Sequence, residues 1–217
     1  GSLAGMDAAA DALFKQCGMM RATTIEELFD YAIAFSSQPH PRGKRVAILT
    51  NAGGPAIMAA DATEGIGLEM AHFEPETEAF MRTVLPKEAA THNPVDMIAG
   101  ATPEMFRKCL KAIIRDRNVD AIIVLNVPLV LKAEMESAKA IVDVSRFSSK
   151  PVLTCFLGKR EDSPGVKYLT ENNIPTYRYP ESAVRAMRML FNYGQWLHKS
   201  KGHVHEFEVD RATAEAQ

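Results

Sequence analysis

No apolar run in the 217-residue sequence approaches the roughly 20 residues that a bilayer-crossing helix needs. No basic, then apolar, leader opens it either. Cysteine is scarce: Cys17, Cys109 and Cys155 lie far apart and match no metal-ligand spacing. An odd, unpatterned count gives no disulfide framework and fits a reducing, cytoplasmic setting, with the thiols as small hydrophobes. Charge of one sign is lacking too. A net charge of −2 leaves no electrostatic footprint for nucleic acid or an anionic membrane surface. No metal cluster, nucleophile–base pair or catalytic triad can be assembled from the letters, so no catalytic residue is assigned.

What is present is a 47% hydrophobic chain, ordinary for a packed globular protein, organised around Arg45–Ala62. The run Val46 to Leu49 is short and β-rich, as a buried parallel strand is. Asn51, Ala52, Gly53 and Gly54 then let the backbone turn, and Pro55 stands where a first helical residue is expected. A strand, a glycine turn and a helix start together make an anion site. First-turn amides lack intrahelical partners, and the helix dipole favours negative charge there. The letters exclude two common versions. The turn has no Gly-Lys-Ser/Thr ending, and Gly53-Gly54 has no third glycine for a dinucleotide fingerprint. Thr50 as its single hydroxyl is too few for a flavin phosphate loop. A main-chain cradle remains, with Asn51 as a side-chain helper; a glycine turn that only makes the bend is the bland alternative.

Along the chain, Asp7–Gln16 reads as a short helix, Met19–Ala22 as a short strand, and a helix capped by Thr23 or Thr24 follows, with Leu28, Phe29 and Ile33 as its apolar face. This helix-strand-helix has no core of its own and reads as the end of an earlier α/β unit, residues 1–37. The stretch 38–43, with Pro39 and Pro41, reads as a linker. From Lys44 to residue 200 strands and helices alternate: strands near Val46, Leu68–His72, Ala121–Leu125, Pro151–Leu157 and Ile174–Tyr177. Residues 87–101 read mostly as loop. That alternation predicts an α/β fold, a doubly wound parallel sheet of about five strands. Ligands in such sheets bind beyond the carboxyl ends of the strands. That edge gathers Asn51–Pro55, Asn93–Asp96 and Asn126–Leu129. At the last of these, Val127, Leu129 and Val130 suit an acyl chain, or only pack. Asp96 either orders neighbouring amides or faces a ligand. Among six histidines only His92 precedes this edge. Lys159–Asp162 reads as solvated charge, and residues 201–217 as a polar linker.

Four stretches resemble the NDP-forming acyl-CoA synthetases, acetate–CoA ligases (ADP-forming) and relatives of succinyl-CoA synthetase. They are Thr50-Asn-Ala-Gly-Gly-Pro-Ala-Ile-Met58 with Ala60-Asp61, Asn93-Pro-Val-Asp-Met97, Asp120-Ala-Ile-Ile-Val-Leu-Asn126, and Gly1-Ser-Leu-Ala-Gly5. The resemblance implies a flavodoxin-like ligase subdomain over 44–200. It implies the tail of a preceding subdomain over 1–37, and a linker toward an ATP-grasp domain over 201–217. The implied reaction interconverts acyl-CoA, phosphate and NDP with acid, CoA and NTP through an acyl phosphate and a phosphohistidine. By the same likeness Asn51, Ala52, Gly53 and Gly54 hold the phosphate or phosphohistidine. Asn126, Val127 and Pro128 face the acyl group or phosphate, and Asn93 and Asp96 support the loop. No metal ligand is implied in this stretch. Succinyl-CoA synthetase has paired glycines where this chain has Val127-Pro128, which leans toward a different or more apolar acid. The implied partners are CoA-binding and ATP-grasp domains, in cis or as a second subunit of an oligomer. CoA, ATP/ADP and Mg2+ belong to the parent rather than to this stretch. A regulatory module of a protein lysine acetyltransferase fusion is the alternative.

Overall fold

The computed structural model describes residues 2–127, 131–158, 163–200 and 202. Pro128, Leu129, Val130, the Lys159–Asp162 loop, His203, His205 and the rest of the tail lie outside the described residues. The strands are β1 (Arg45–Thr50), β2 (Glu69–Met70), β3 (Val95–Asp96), β4 (Ala121–Asn126), β5 (Val152–Phe156) and β6 (Thr176–Tyr177). The helices are α1 (Ser2–Cys17), α2 (Ile25–Ser37), α3 (Gly53–Gly65), α4 (Pro75–Val84), α5 (Pro103–Arg115), α6 (Leu131–Ser145), α7 (Pro164–Glu171) and α8 (Pro180–Leu197). Every strand pair is parallel, in the order β2-β1-β4-β5-β6, with β3 also on β1.

The expected five positions are therefore present, built from six segments. β2 pairs with the start of β1 (Arg45, Val46) and β3 with its end (Leu49, Thr50), so two short strands share one edge. The Asn93 side chain fills the gap between them. Its Oδ1 accepts from Ile48 N–H at 2.9 Å, and its Nδ2 donates to the carbonyls of Val46 (2.8 Å) and Ala71 (3.0 Å). A side-chain amide thus completes the β1 ladder, which is why a stretch that reads as loop carries a strand.

Apolar residues on both faces of β1 and β4 explain the double winding. One face buries Ala47, Leu49, Ile122 and Val124 with Met81 of α4, Leu110 of α5, Ile141 of α6 and Leu169 of α7. The other buries Val46, Ile48, Ile123 and Leu125 with Tyr31 and Ala34 of α2, Ala59 of α3 and Met187 of α8. α5 shows the sequence logic well. Thr102 accepts from Met105 N–H as N-cap, Pro103 opens the helix, and Phe106, Cys109, Leu110 and Ile113 are its buried stripe.

The N-terminal segment departs from expectation in three ways. α1 begins at Ser2, five residues earlier than its apolar letters suggest. No strand forms at Met19–Ala22, because β propensity makes a strand only beside an edge to pair with. The stripe of α2 is also reversed: Leu28, Phe29 and Ile33 are exposed, Phe29 to 63%, while Tyr31 and Ala34 face α8. The helix carries two apolar stripes, and periodicity alone does not say which one meets a neighbour. Thr24 is the N-cap, accepting from Glu27 N–H. The 38–43 stretch is pinned to the sheet: Gln38 donates to Asn173 O at 2.6 Å and accepts from Val152 N–H at 2.8 Å. No helix among the described residues is long and apolar enough to cross a membrane.

Candidate functional site

The order of strands reverses between β1 and β4, where the chain leaves β1 for one edge and later returns to the other side. Loops diverge at such a point and leave a crevice at the carboxyl edge. The ends of β1, β3 and β4 meet there in register. Thr50 is opposite Asp96 on one side and Leu125 on the other.

The turn after β1 is built by its side chains. Buried Thr50 accepts from Ala52 N–H at 3.0 Å and donates to Ala52 O at 3.1 Å. Ala52 is the extended N-cap of α3, without a side-chain cap, and Gly53 is already helical. The helix starts two residues before Pro55. Pro55 therefore falls inside the first turn, where its missing N–H still costs nothing. The N–H groups of Gly53 and Gly54 have no acceptor among the described residues. Nothing lies within 4 Å of the position of a Cβ on Gly54, whereas a Cβ on Gly53 would stand 3.0 Å from Asp96 Oδ2.

The candidate residues therefore divide into donors and supports. Gly53 and Gly54 present free amides. Ala52 has its N–H engaged within the turn. Asn51, buried to 7% exposure, uses its side chain on the neighbouring loop: Oδ1 accepts from Val127 N–H at 2.8 Å and Nδ2 donates to Val127 O at 3.1 Å. Asn51 is thus a positioning residue rather than an anion donor. Asp96 Oδ1 accepts from Ile98 N–H at 2.9 Å, ordering the loop before α5. Asn93 is spent on the ladder. Asn126 ends β4 fully buried, and Pro128 lies outside the described residues. His92 is exposed, preceding an asparagine that pairs with the middle of β1.

Two residues escaped the sequence. Ile98 holds φ 58°, a left-handed conformation that a β-branched side chain rarely adopts. No local letter signals it. Glu134, fully buried in α6, accepts from Ser163 Oγ at 2.6 Å and Gly165 N–H at 2.9 Å, so it caps the start of α7. An acidic first-turn residue was its signal, but its partner is 31 residues away.

The cysteines supply no nucleophile at this edge. Burial pushes the Cys109 and Cys155 thiols up to about 12, with Glu181 adding to the shift at Cys155, so both stay protonated. Cys17 is exposed, unlike the buried thiol expected of it, because it ends α1 on the surface. A cavity of about 670 Å3 opens at the opposite, amino edge, lined by Arg45, Asp116, Asp120 and Lys150 among others. Helix C-termini gather at that edge, and their carbonyls disfavour anions; size alone does not make it the anion site.

The ligase-CoA domain family matches residues 46–201. The chain is 40% identical over 194 residues to the alpha subunit of acetate–CoA ligase (ADP-forming) II of Pyrococcus furiosus, covering 88% of this chain and 42% of that protein. It is 34% identical over 214 residues to 4-hydroxybutyrate–CoA ligase (ADP-forming) of Nitrosopumilus maritimus, covering 99% of this chain and 30% of that protein. The apo structure of dinucleotide forming acetyl-coenzyme A synthetase 1 of Ca. Korarchaeum cryptofilum superposes with a TM-score of 0.79 at 30% identity, over 87% of this chain and 42% of that one. The chain spans less than half the length of these relatives.

Proposed function

The chain belongs to the ligase-CoA domain family, and on that footing we propose that it is one domain of an NDP-forming acid–CoA ligase, supplying the helix start that holds a transferring phosphoryl group. The reaction interconverts acyl-CoA, phosphate and NDP with acid, CoA and NTP. A phosphate oxygen attacks the acyl carbon and the CoA thiolate leaves. A histidine nitrogen then attacks phosphorus, the bond to the acyl oxygen breaks, and the carboxylate departs. Finally an oxygen of the NDP terminal phosphate takes the phosphoryl group and frees the imidazole.

The observation that carries this reading is the pair of unpartnered amides at Gly53 and Gly54, at the switch point of the sheet. A helix N-terminus offers about half a positive charge and aimed N–H donors. Phosphoryl transfer depends on such positioning and charge relief more than on covalent help from the protein. Open space over Gly54 lets a bulky phosphorylated side chain approach the main chain. The reactive histidine comes from the preceding subdomain, and the CoA and nucleotide sites come from CoA-binding and ATP-grasp domains, in cis or as a second subunit, with Mg2+ at the nucleotide. The 1–37 helices lead in from a preceding subdomain, and residues 201–217 lead out. Names of relatives lend no support to a regulatory acetyltransferase fusion.

The test is histidine phosphorylation in the parent enzyme carrying Gly53→Asp together with Gly54→Asp. A carboxylate at the helix start competes for the amides and repels phosphate, so phosphorylation should fall at least tenfold. Wild-type phosphorylation in a folded variant would end the reading.

A further inference from the structure

Lys150 stands just before β5, and the ligase reaction leaves its amine unused. Its backbone is fixed: Lys150 N–H donates to Ser148 Oγ at 3.1 Å, and Ser148 Oγ donates to Lys150 O at 2.8 Å. Its side chain is fixed too, because Nζ donates to the carbonyl of Asp116, the C-cap of α5. Held at both ends and half-buried, it forms part of the wall of the amino-edge cavity of about 670 Å3. We infer that Lys150 is an acylation site: its amine takes the acyl group of a small acyl phosphate drawn into that cavity. The inference rests on the ligase reading for the source of the acyl phosphate, and on nothing at the carboxyl edge.

Charge selects the ligand. Six basic and three acidic side chains line the cavity. Arg45 is paired with Asp120, Lys44 with Glu69 and Arg117 with Glu74, whereas Arg42 and Arg115 have no ion-pair partner among the described residues. The carbonyls that disfavour anions at this edge are covered here: Lys150 Nζ donates to Asp116 O, and Arg45 Nη2 donates to Arg117 O at 3.0 Å. An excess of one charge in a cleft raises the local concentration of a small ion of the other sign. The amine is also suited to attack. Burial pushes the Lys150 ammonium below the ordinary lysine value, against the opposite charges of Asp116 and Asp120, and the neutral amine is the reacting form. In the step, the Lys150 nitrogen attacks the acyl carbon and an N–C bond forms. The bond from that carbon to the phosphate oxygen breaks, its electron pair leaves with phosphate, and phosphate takes the proton that the nitrogen sheds. An amide on Lys150 and inorganic phosphate result, and the favourable positive charge at the end of α5 is lost.

The experiment follows acetylation of the 217-residue chain by acetyl phosphate near neutral pH, mapped by peptide mass spectrometry over time. Lys139, exposed on α6 and paired with Glu136, is the reference. Lys150 should take up the acetyl group at least tenfold faster than Lys139; an equal or slower rate would overturn the inference. Added inorganic phosphate should slow Lys150 and not Lys139, and failure to protect Lys150 would show that the cavity holds no such anion. Arg42→Gln with Arg115→Gln, both at exposed positions, should lower the Lys150 rate at least threefold with acetyl phosphate and leave it unchanged with acetic anhydride, which carries no charge. An undiminished rate with acetyl phosphate, or an equal fall with the anhydride, overturns the inference. Acetyl-CoA is the other activated acyl donor. It should label Lys150 more slowly than acetyl phosphate at the same concentration, and faster labelling would overturn the choice of acyl phosphate. Because acetyl phosphate is supplied directly, the result is read apart from histidine phosphorylation in the parent enzyme, and failure of the one is distinguishable from failure of the other.

Discussion

The Asn51 side chain and the Val127 backbone exchange two hydrogen bonds, of 2.8 Å and 3.1 Å, across the crevice between β1 and β4. The pair mimics one rung of a parallel ladder just beyond the last true one. It fixes the glycine turn against the β4 loop, and so sets how far the α3 amides stand from Asn126.

Replacing Asn51 by Ala should therefore act on stability and on both loops at once. Val127 would be left with a donor and an acceptor in a mostly buried site. The expected loss is about 1–3 kcal/mol, read as a lower urea midpoint with an unchanged slope. Amide shifts at Gly53, Gly54 and Val127 should move together. If they stay fixed, the pair does not hold the turn.

Ile98 predicts the opposite sign. The left-handed conformation costs an ordinary L-residue about 1–2 kcal/mol, while glycine in its place adds roughly 0.5–1 kcal/mol of chain entropy to be lost on folding. Ile98 is also absent from both buried clusters, so little packing is forfeited. Ile98→Gly should raise the melting temperature by up to about 2–4 °C, and Ile98→Ala, which stays strained, should not. A drop in melting temperature for the glycine variant would mean that the side chain packs.

At the amino edge, Arg45 predicts a pH dependence. Burial pushes the Asp120 carboxyl up, but the Arg45 guanidinium and backbone N–H pull it further down, leaving it below the usual carboxylate range. A depressed folded-state value means stability that is present above the unfolded value, about 3.9, and lost as pH falls through the folded value. Arg45→Met removes the guanidinium but keeps the backbone N–H bond and the Lys150 charge, so the lowering of Asp120 shrinks and with it the stability it adds at neutral pH. The gap in urea midpoint between wild type and Arg45→Met should thus be wide at pH 7 and narrower at pH 3. An equal gap at both would remove Asp120 from the account.

The sequence by itself determined the α/β alternation, the five sheet positions, a helix cap at Thr23 or Thr24, and the glycine turn at the carboxyl edge. These are local matters: apolar periodicity, first-turn chemistry and glycine placement act over a few residues and leave a mark in the letters. Tertiary structure alone decided what each asparagine does. Asn51, Asn93 and Asn126 are the same letter, two of them in loops and one ending β4. One clamps a neighbouring loop, one completes a ladder, and one keeps a buried donor open. The stripe of α2 that meets α8, the strand at Val95 and the left-handed turn at Ile98 were settled in the same way. A side chain's partner lies 22 to 76 residues away in these hydrogen bonds, and no window of sequence holds both ends of such a bond.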